Sequence, residues 1–379
     1  KQKMMNLYKK IFFLLTLGIL CVEGDSDKSV LVNIYPGFGW DDLRFLDLSP
    51  IFDVSNFNSS IQYQSCIEIL PVYHNKFLLD STVIDMFDAR SSDYSSNLFI
   101  SGGGSFWKVS VKGSYSQEYQ SSKKQQGEEN TIAIRNQIEY IMYDVILTST
   151  CKLNPQVKKT LIDISRYQTS DQGTMAKYAA QLFIKMYGTH FTSRLSLGGS
   201  IVQEDHIKKS IYYENNFQTK KYRASASASF LSTYKLSANY DSTSTDASIH
   251  NLTKQFTRKV VRAKGGKLDL SSGAIESWQA SIDSKPAIIR RAIENITSFI
   301  QSDRIPELSE IELKNVRDEL NAAIETYVEM NSYKGCMDRT SPSFNWLANV
   351  DDGACSPAEK NSQFGGFIRT CTEDSRISQ

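Results

Sequence analysis

The chain has 379 residues, with 43 Lys and Arg against 42 Asp and Glu, for a formal net charge of +1. So even a balance leaves no basic footprint for nucleic acid, and 19 Tyr, 19 Phe and 4 Trp argue for an ordered, β-containing protein over a disordered one. The length suits one large domain followed by a small one.

Lys1-Gln2-Lys3 precede Met4 and Met5 and read as an untrimmed leader. Lys9-Lys10 then precede the apolar run Ile11 to Leu20, a basic stretch followed by a short hydrophobic one. That order predicts a secretory signal peptide over 1–24, cleaved after Gly24 and too short to anchor in a bilayer. The expected location is the secretory pathway. With Cys21 in the leader, the cysteines left are Cys66, Cys151, Cys336, Cys355 and Cys371, and an odd set leaves one over when an exported chain pairs them. Sequons at Asn58, Asn251 and Asn295 are the expected glycosylation sites.

Along the mature chain, Val30 to Ile34 reads as a short strand. It meets a Pro- and Gly-bearing turn, Pro36 to Arg44, anchored by Trp40. Between 92 and 125, Trp107, Val109, Val111, Gly113, Tyr115 and Tyr119 share one parity and mostly polar residues the other. A half-exposed strand shows this pattern, whether it lies in a solvent-facing sheet or in a membrane barrel wall. Tyr222, Ala224, Ala226, Ala228, Phe230, Tyr234 and Leu236 repeat it, with Arg223, Ser225, Ser227 and Ser229 opposite.

Val157 to Tyr167 predicts a surface helix, and Met175 to Met186 an amphipathic one. The second runs into Tyr187-Gly188-Thr189-His190-Phe191, an alternating strand and the pair Gly198-Gly199, which marks a bulge, a bend or close backbone approach. His190 reads as a hydrogen-bonded packing residue. Glu204-Asp205-His206 brings acid–base or metal chemistry to mind, but a satisfied, partly exposed strand end accounts for it, and there is no HExxH, CxxC or GxSxG pattern. No catalytic residue, metal or cofactor is expected. Gly265-Gly266 makes a turn, Ala287 to Ile300 predicts a helix, and Ser309 with Glu312 caps another running to Met330. Its apolar face is Leu313, Val316, Leu320, Ala323, Ile324 and Val328. From Tyr333, cysteines flank a Pro-, Asn- and Asp-rich loop with little core, and Asp351-Asp352-Gly353 fits a turn or a calcium loop.

An aromatic, Gly, Thr, His, an aromatic, six residues and Gly-Gly resembles the signature of the membrane-attack-complex/perforin (MACPF) family, with every position filled. The Pro36–Arg44 turn, the run after Gly199 and the cysteine module resemble that family's macrophage-expressed perforin-like subfamily, over roughly residues 30 to 375. The resemblance implies an α+β fold in which a bent antiparallel sheet is flanked by two helical clusters, at about 92–125 and 213–260, that refold into transmembrane β-hairpins. It implies a MACPF domain over 25–332 and an EGF-like module over 333–379, expected to be incomplete. The subfamily continues into a second β-rich domain and a membrane anchor, so the chain reads either as part of a longer protein, which the odd cysteine favours, or as a short secreted form. Cys336–Cys355 is the natural pair and Cys66–Cys151 a second, with Cys371 left over.

The function implied is a pore-forming effector of innate defence, secreted or lumenal in phagosomes, that assembles homo-oligomeric rings on microbial lipid membranes. A non-lytic binding, adhesion or regulatory protein of the same fold is the alternative. The nearly charge-free apolar parity of both segments favours insertion, and Lys in place of Ala226 or Val111 is expected to block insertion without unfolding the soluble form.

Overall fold

A computed structural model describes residues 36–53, 66–72, 78–84, 99–102, 113–214, 219–234, 254–268, 275–338 and 341–355. Its centre is a nine-stranded sheet built on two long neighbours, β6 (Thr131–Leu147) and β7 (His190–Lys208). They pair antiparallel along nearly their whole length, from Thr131↔Lys208 to Ile146↔Arg194.

The sheet has two halves. In the first, β4 (Leu78–Ile84) pairs with β6 and β8 (Phe256–Lys264) with β7, giving an antiparallel order β4-β6-β7-β8. In the second, β3 (Ile67–Pro71) pairs with β6, and β9 (Ala287–Asn295) takes the place of β8 on β7. Strand β5 (Phe99–Gly102) adds to β9 in parallel, while β1 (Phe38–Asp41), paired with β2 (Leu46–Pro50), touches β7 at Phe191.

Helices α2 (Pro155–Thr169), α3 (Gly173–Tyr187) and α7 (Glu310–Met330) pack on the second half around the largest apolar cluster. Asn154 caps α2 through its side chain, with Pro155 at the first helical position, where a missing N–H costs nothing. Ser309 and Glu312 close a reciprocal capping box on α7, whose buried residues are the six the sequence pattern names. A disulfide joins Cys66 to Cys151 beside this core, and another joins Cys336 to Cys355 in the C-terminal module. That module carries a two-stranded pairing of β10 (Lys334–Gly335) with β11 (Val350–Asp351).

One expected element is wrong. Residues 287–295 form strand β9, and the helix of this region is α6 (Ile275–Ile282). Ile289, Arg291 and Ile293 are buried on one face at period two, and Pro286 precedes the strand; the clustered isoleucines fit either period.

Candidate functional site

The signature residues join α3 to β7. Tyr187 ends the helix, buried and in ring contact with Phe183 at 4.7 Å. Gly188 takes φ +84°, and a side chain there would press into the Trp40 carbonyl. The Thr189 N–H donates to that carbonyl at 3.1 Å, so the turn Pro36–Arg44 is stitched to the helix end. Thr189 Oγ1 lies 2.8 Å from His190 Nδ1, both buried, and Phe191 completes an aromatic group with Phe52 and Phe299. His190 is thus held in packing with its hydroxyl partner.

Gly198 and Gly199 sit where β7 changes neighbour. Strand β9 reaches as far as Gly198, and β8 begins at Ser200. Both neighbours of β7 carry a register shift at this level, between Ile141 and Tyr143 on β6 and opposite Ser196 and Leu197 on β9. Bulges add twist and bend the strand that carries them, so three adjacent strands bend together here. On the face of Gly199, Trp278 and Ile282 of α6 press where a side chain would stand, and Trp278 Nε1 donates to the Gly265 carbonyl at 2.9 Å. The sequence marked the glycine pair but not α6, whose register with the bend has no local signature.

Beyond the bend, helices cover both faces of the four-stranded half. Helix α5 (Thr219–Thr233) follows the short α4 (Lys209–Glu214) and lies over Ile132, Ile134, Ile138 and Ile201. It buries Tyr222, Ser225, Ala226 and Phe230, and Tyr234 just beyond; Ala224 is half-buried and Ala228 exposed. Helical and strand periods therefore select overlapping residues: the helix uses 222, 226 and 230, and a strand would add 224 and 228. Arg223 donates to the Ser81 carbonyl on β4, and Ser227 Oγ to Asn136 Oδ1 at 2.8 Å. The segment expected at 213–260 overlaps β8, already strand from Phe256.

Helix α1 (Gln117–Glu129) covers the opposite face, against Ala133. Tyr119 is buried in it, and Tyr115 is half-buried in the preceding turn, with its hydroxyl donating to the Asn331 carbonyl at 3.1 Å. Trp107, Val109, Val111, Leu236, Asn58 and Asn251 lie outside the described residues. Asn295 is half-buried at the end of β9, opposite His190. Contrary to the expectation for Lys at Ala226, that side chain is fully buried under α5, so Lys there would disrupt the packing of the helix, whereas Ala228 is exposed.

Glu204, Asp205 and His206 are not a partly exposed strand end. All three are buried, because α1 and α5 sandwich the sheet, which the sequence pattern alone does not reveal. Arg262 Nη1 pairs with Glu204 at 2.9 Å, Thr131 Oγ1 lies 3.2 Å from His206 Nδ1, and Gln203 Nε2 donates to Asp205 at 2.7 Å. Burial raises the Asp205 carboxyl and lowers the His206 imidazole, the latter against the pull of Glu204 and Glu129. Among the described residues no group of three or more His, Cys, Asp or Glu could hold a metal, and no helix is long and apolar enough to cross a membrane. Asp351 and Asp352 accept from the Gly353 and Ala354 N–H groups, the geometry of a turn.

This bent sheet with its two covering segments can be set beside known proteins. The model of the MAC/Perforin domain family matches residues 29–337. The chain belongs to the MAC/Perforin family. Among the relatives it resembles is the perivitellin-2 67 kDa subunit of Pomacea canaliculata, 24% identical over 352 residues, covering 84% of this chain and 60% of that protein. The same subunit of Pomacea maculata is 24% identical over 348 residues, with 84% and 59% covered. The chain thus spans about 60% of the length of these relatives. The crystal structure of GNIP1Aa from Chromobacterium piscinae is similar in fold, with a TM-score of 0.51, 13% identity, and 78% of this chain and 55% of that one covered.

Proposed function

We propose that this MAC/Perforin chain forms pores, by assembling rings on target membranes and extending two β-hairpins per subunit. One observation carries the reading. Strands β4 and β6 form an antiparallel pair whose connection, residues 85–130, leaves from the same end as the connection between β7 and β8, residues 209–255. Ile84 lies opposite Ala133, Thr131 opposite Lys208, and Ile207 opposite Phe256. Each connection is long enough for two membrane strands of about 9–11 residues and a turn. Extending both lengthens the existing hairpins in their present registers, and β5 (Phe99–Gly102), which lies within the first connection, gives up its place beside β9.

The docked helices are suited to leaving. Helix α5 rests on small and aromatic residues that a strand gathers on one face, and α1 buries mostly polar ones. An open four-stranded insertion would leave edge N–H and C=O groups unpaired in hydrocarbon, so neighbours must close a barrel. That requirement makes the homo-oligomeric ring part of the reading.

The likeness of the 36–44 turn and the cysteine module to the macrophage-expressed subfamily supports an exported effector acting on microbial membranes, with an EGF-like module after Tyr333. Signal peptide, glycosylation and lumenal location belong to the same reading. Dye release from anionic liposomes at neutral and acidic pH, with the samples imaged by negative-stain electron microscopy, tests it. Release with rings is expected. Membrane binding with neither rings nor release would favour the non-lytic binding protein.

A further inference from the structure

We infer that the C-terminal cysteine module is a clasp that holds α1 in its docked helical form and thereby sets when residues 85–130 can extend. The holding contact stands on geometry alone; its consequence for extension rests on the pore-forming reading above.

Helix α1 is poorly equipped to hold itself on the sheet. Its inward face is Tyr119, Ser122, Lys123 and Gln126, all buried, and only the tyrosine brings much apolar area. Burying polar groups stabilises little unless partners are supplied. The module supplies one to Lys123 and one to Ser114 just before the helix. Lys123 Nζ, buried, donates to the Ala348 carbonyl at 2.8 Å. Asn349, also buried, donates through Nδ2 to Ser114 Oγ at 3.1 Å, just before α1, and to the Asn331 carbonyl at 2.8 Å, just after α7. Its Oδ1 accepts from the Tyr333 N–H at 2.7 Å. One side chain therefore ties the turn before α1 to the end of the fixed helix α7.

Packing follows the same line. Met337 and Ala348 of the module share an apolar cluster with Tyr119 of α1 and with Ala133 and Ile84 of the sheet, so module, helix and sheet meet in one cluster. The Trp346 ring lies so close to Gly127 of α1 that a β-carbon there would stand 2.7 Å from Cη2. The Cys336–Cys355 disulfide and the pairing of β10 with β11 bracket the loop Phe344–Asn349 that makes these contacts. Helix α5, on the other face, has no contact with the module among these. The clasp thus acts on one of the two segments, and the first extends only after the module lets go.

The test is hydrogen exchange of the full chain in solution, comparing the wild type with Trp346→Ala/Asn349→Ala and with Leu347→Ala, a control at an exposed side chain. Amides of 117–129 are expected to exchange about tenfold faster in the double variant, as for loss of roughly one net buried hydrogen bond. Those of 219–233 and 310–330 should be unchanged. Ser114→Ala, which spares the module, should act in the same direction more weakly and guards against simple misfolding of the loop. Unchanged exchange in 117–129 for both variants would overturn the clasp. On liposomes the double variant should release dye earlier than the wild type; faster exchange with the same onset would overturn its control of extension. No release from any chain would instead contradict the pore reading, and exchange alone would decide the clasp.

Discussion

Gly198 of β7 lies against the backbone of Tyr140 on β6 so closely that a β-carbon would overlap the Tyr140 carbonyl oxygen. Backbone cannot yield as a side chain tip does, so the cost of filling that space is paid by the bend itself. Gly198→Ala is expected to destabilise the fold by about 3 kcal/mol. Gly173→Ala is the matched control. It stands at the start of α3 with nothing within 4 Å, and should be neutral or stabilising by about 0.5 kcal/mol. Thermal unfolding by circular dichroism of the two variants checks the contrast, and equal effects would contradict the packing argument.

Ala228→Lys should leave the soluble fold intact, since that side chain is exposed on α5, yet place a charge among the residues a membrane strand turns to lipid. At mid-bilayer the penalty is roughly 2–4 kcal/mol per subunit. The expected outcome is an unchanged melting temperature with dye release suppressed; normal release would remove 222–230 from the lipid-facing strand.

Burial pushes the Lys123 ammonium down to about 8, from an ordinary value of 10.5. Between those values the unfolded chain holds more protons than the folded one, so stability rises with pH through that window and is lowest below it. Lys123→Met removes the buried charge. Its melting temperature relative to the wild type's should be higher at pH 7.5 than at pH 9.5, whatever the loss of the Ala348 contact costs at both. A gap that is the same at both would contradict the assignment.

Burial also holds His206 below the ordinary range, with Glu204, Glu129, Arg258, Arg262 and the Thr131 hydroxyl around it. The folded state then binds fewer protons than the unfolded one below about pH 6.5, and stability falls as pH drops through that range. Asp205, raised by burial, works in the opposite sense at lower pH. His206→Gln should therefore flatten the loss of melting temperature between pH 7 and 5.5; an unaltered slope would contradict it.

Much of the second half of the sheet was legible because single-period signals decided it. The capping box at Ser309 and the apolar face from Leu313 to Val328 define α7. The alternation of Phe191, Leu195 and Leu197 with Arg194 and Ser196 marks the first part of β7, whose continuation to Lys208 is buried on both faces and shows no alternation. Residues 287–295 were misread because isoleucines at mixed spacing suit a helix face as well as a buried strand. Glu204, Asp205 and His206 were misjudged because their burial comes from α1 and α5, distant in sequence and covering both faces. The glycine pair announced a bend, but Trp278 and Ile282 that fill the space beside Gly199 arrive from another part of the chain. Lys123 stands in a polar run of the sequence with nothing to set it apart, and its partner, the Ala348 carbonyl, is a backbone group that leaves no mark in side-chain chemistry.

The central claim is that α5 changes period when the chain meets a membrane. Single labels at 223, 224, 227, 228 and 231, all partly or fully exposed on the helix, read this through lipid and water accessibility by electron paramagnetic resonance. In solution the helix groups 224, 227, 228 and 231 on one face. On liposomes the account predicts that 224 and 228 enter lipid while 223 and 227 turn to the aqueous lumen. A helical pattern that persists on membranes which have released their dye would contradict it.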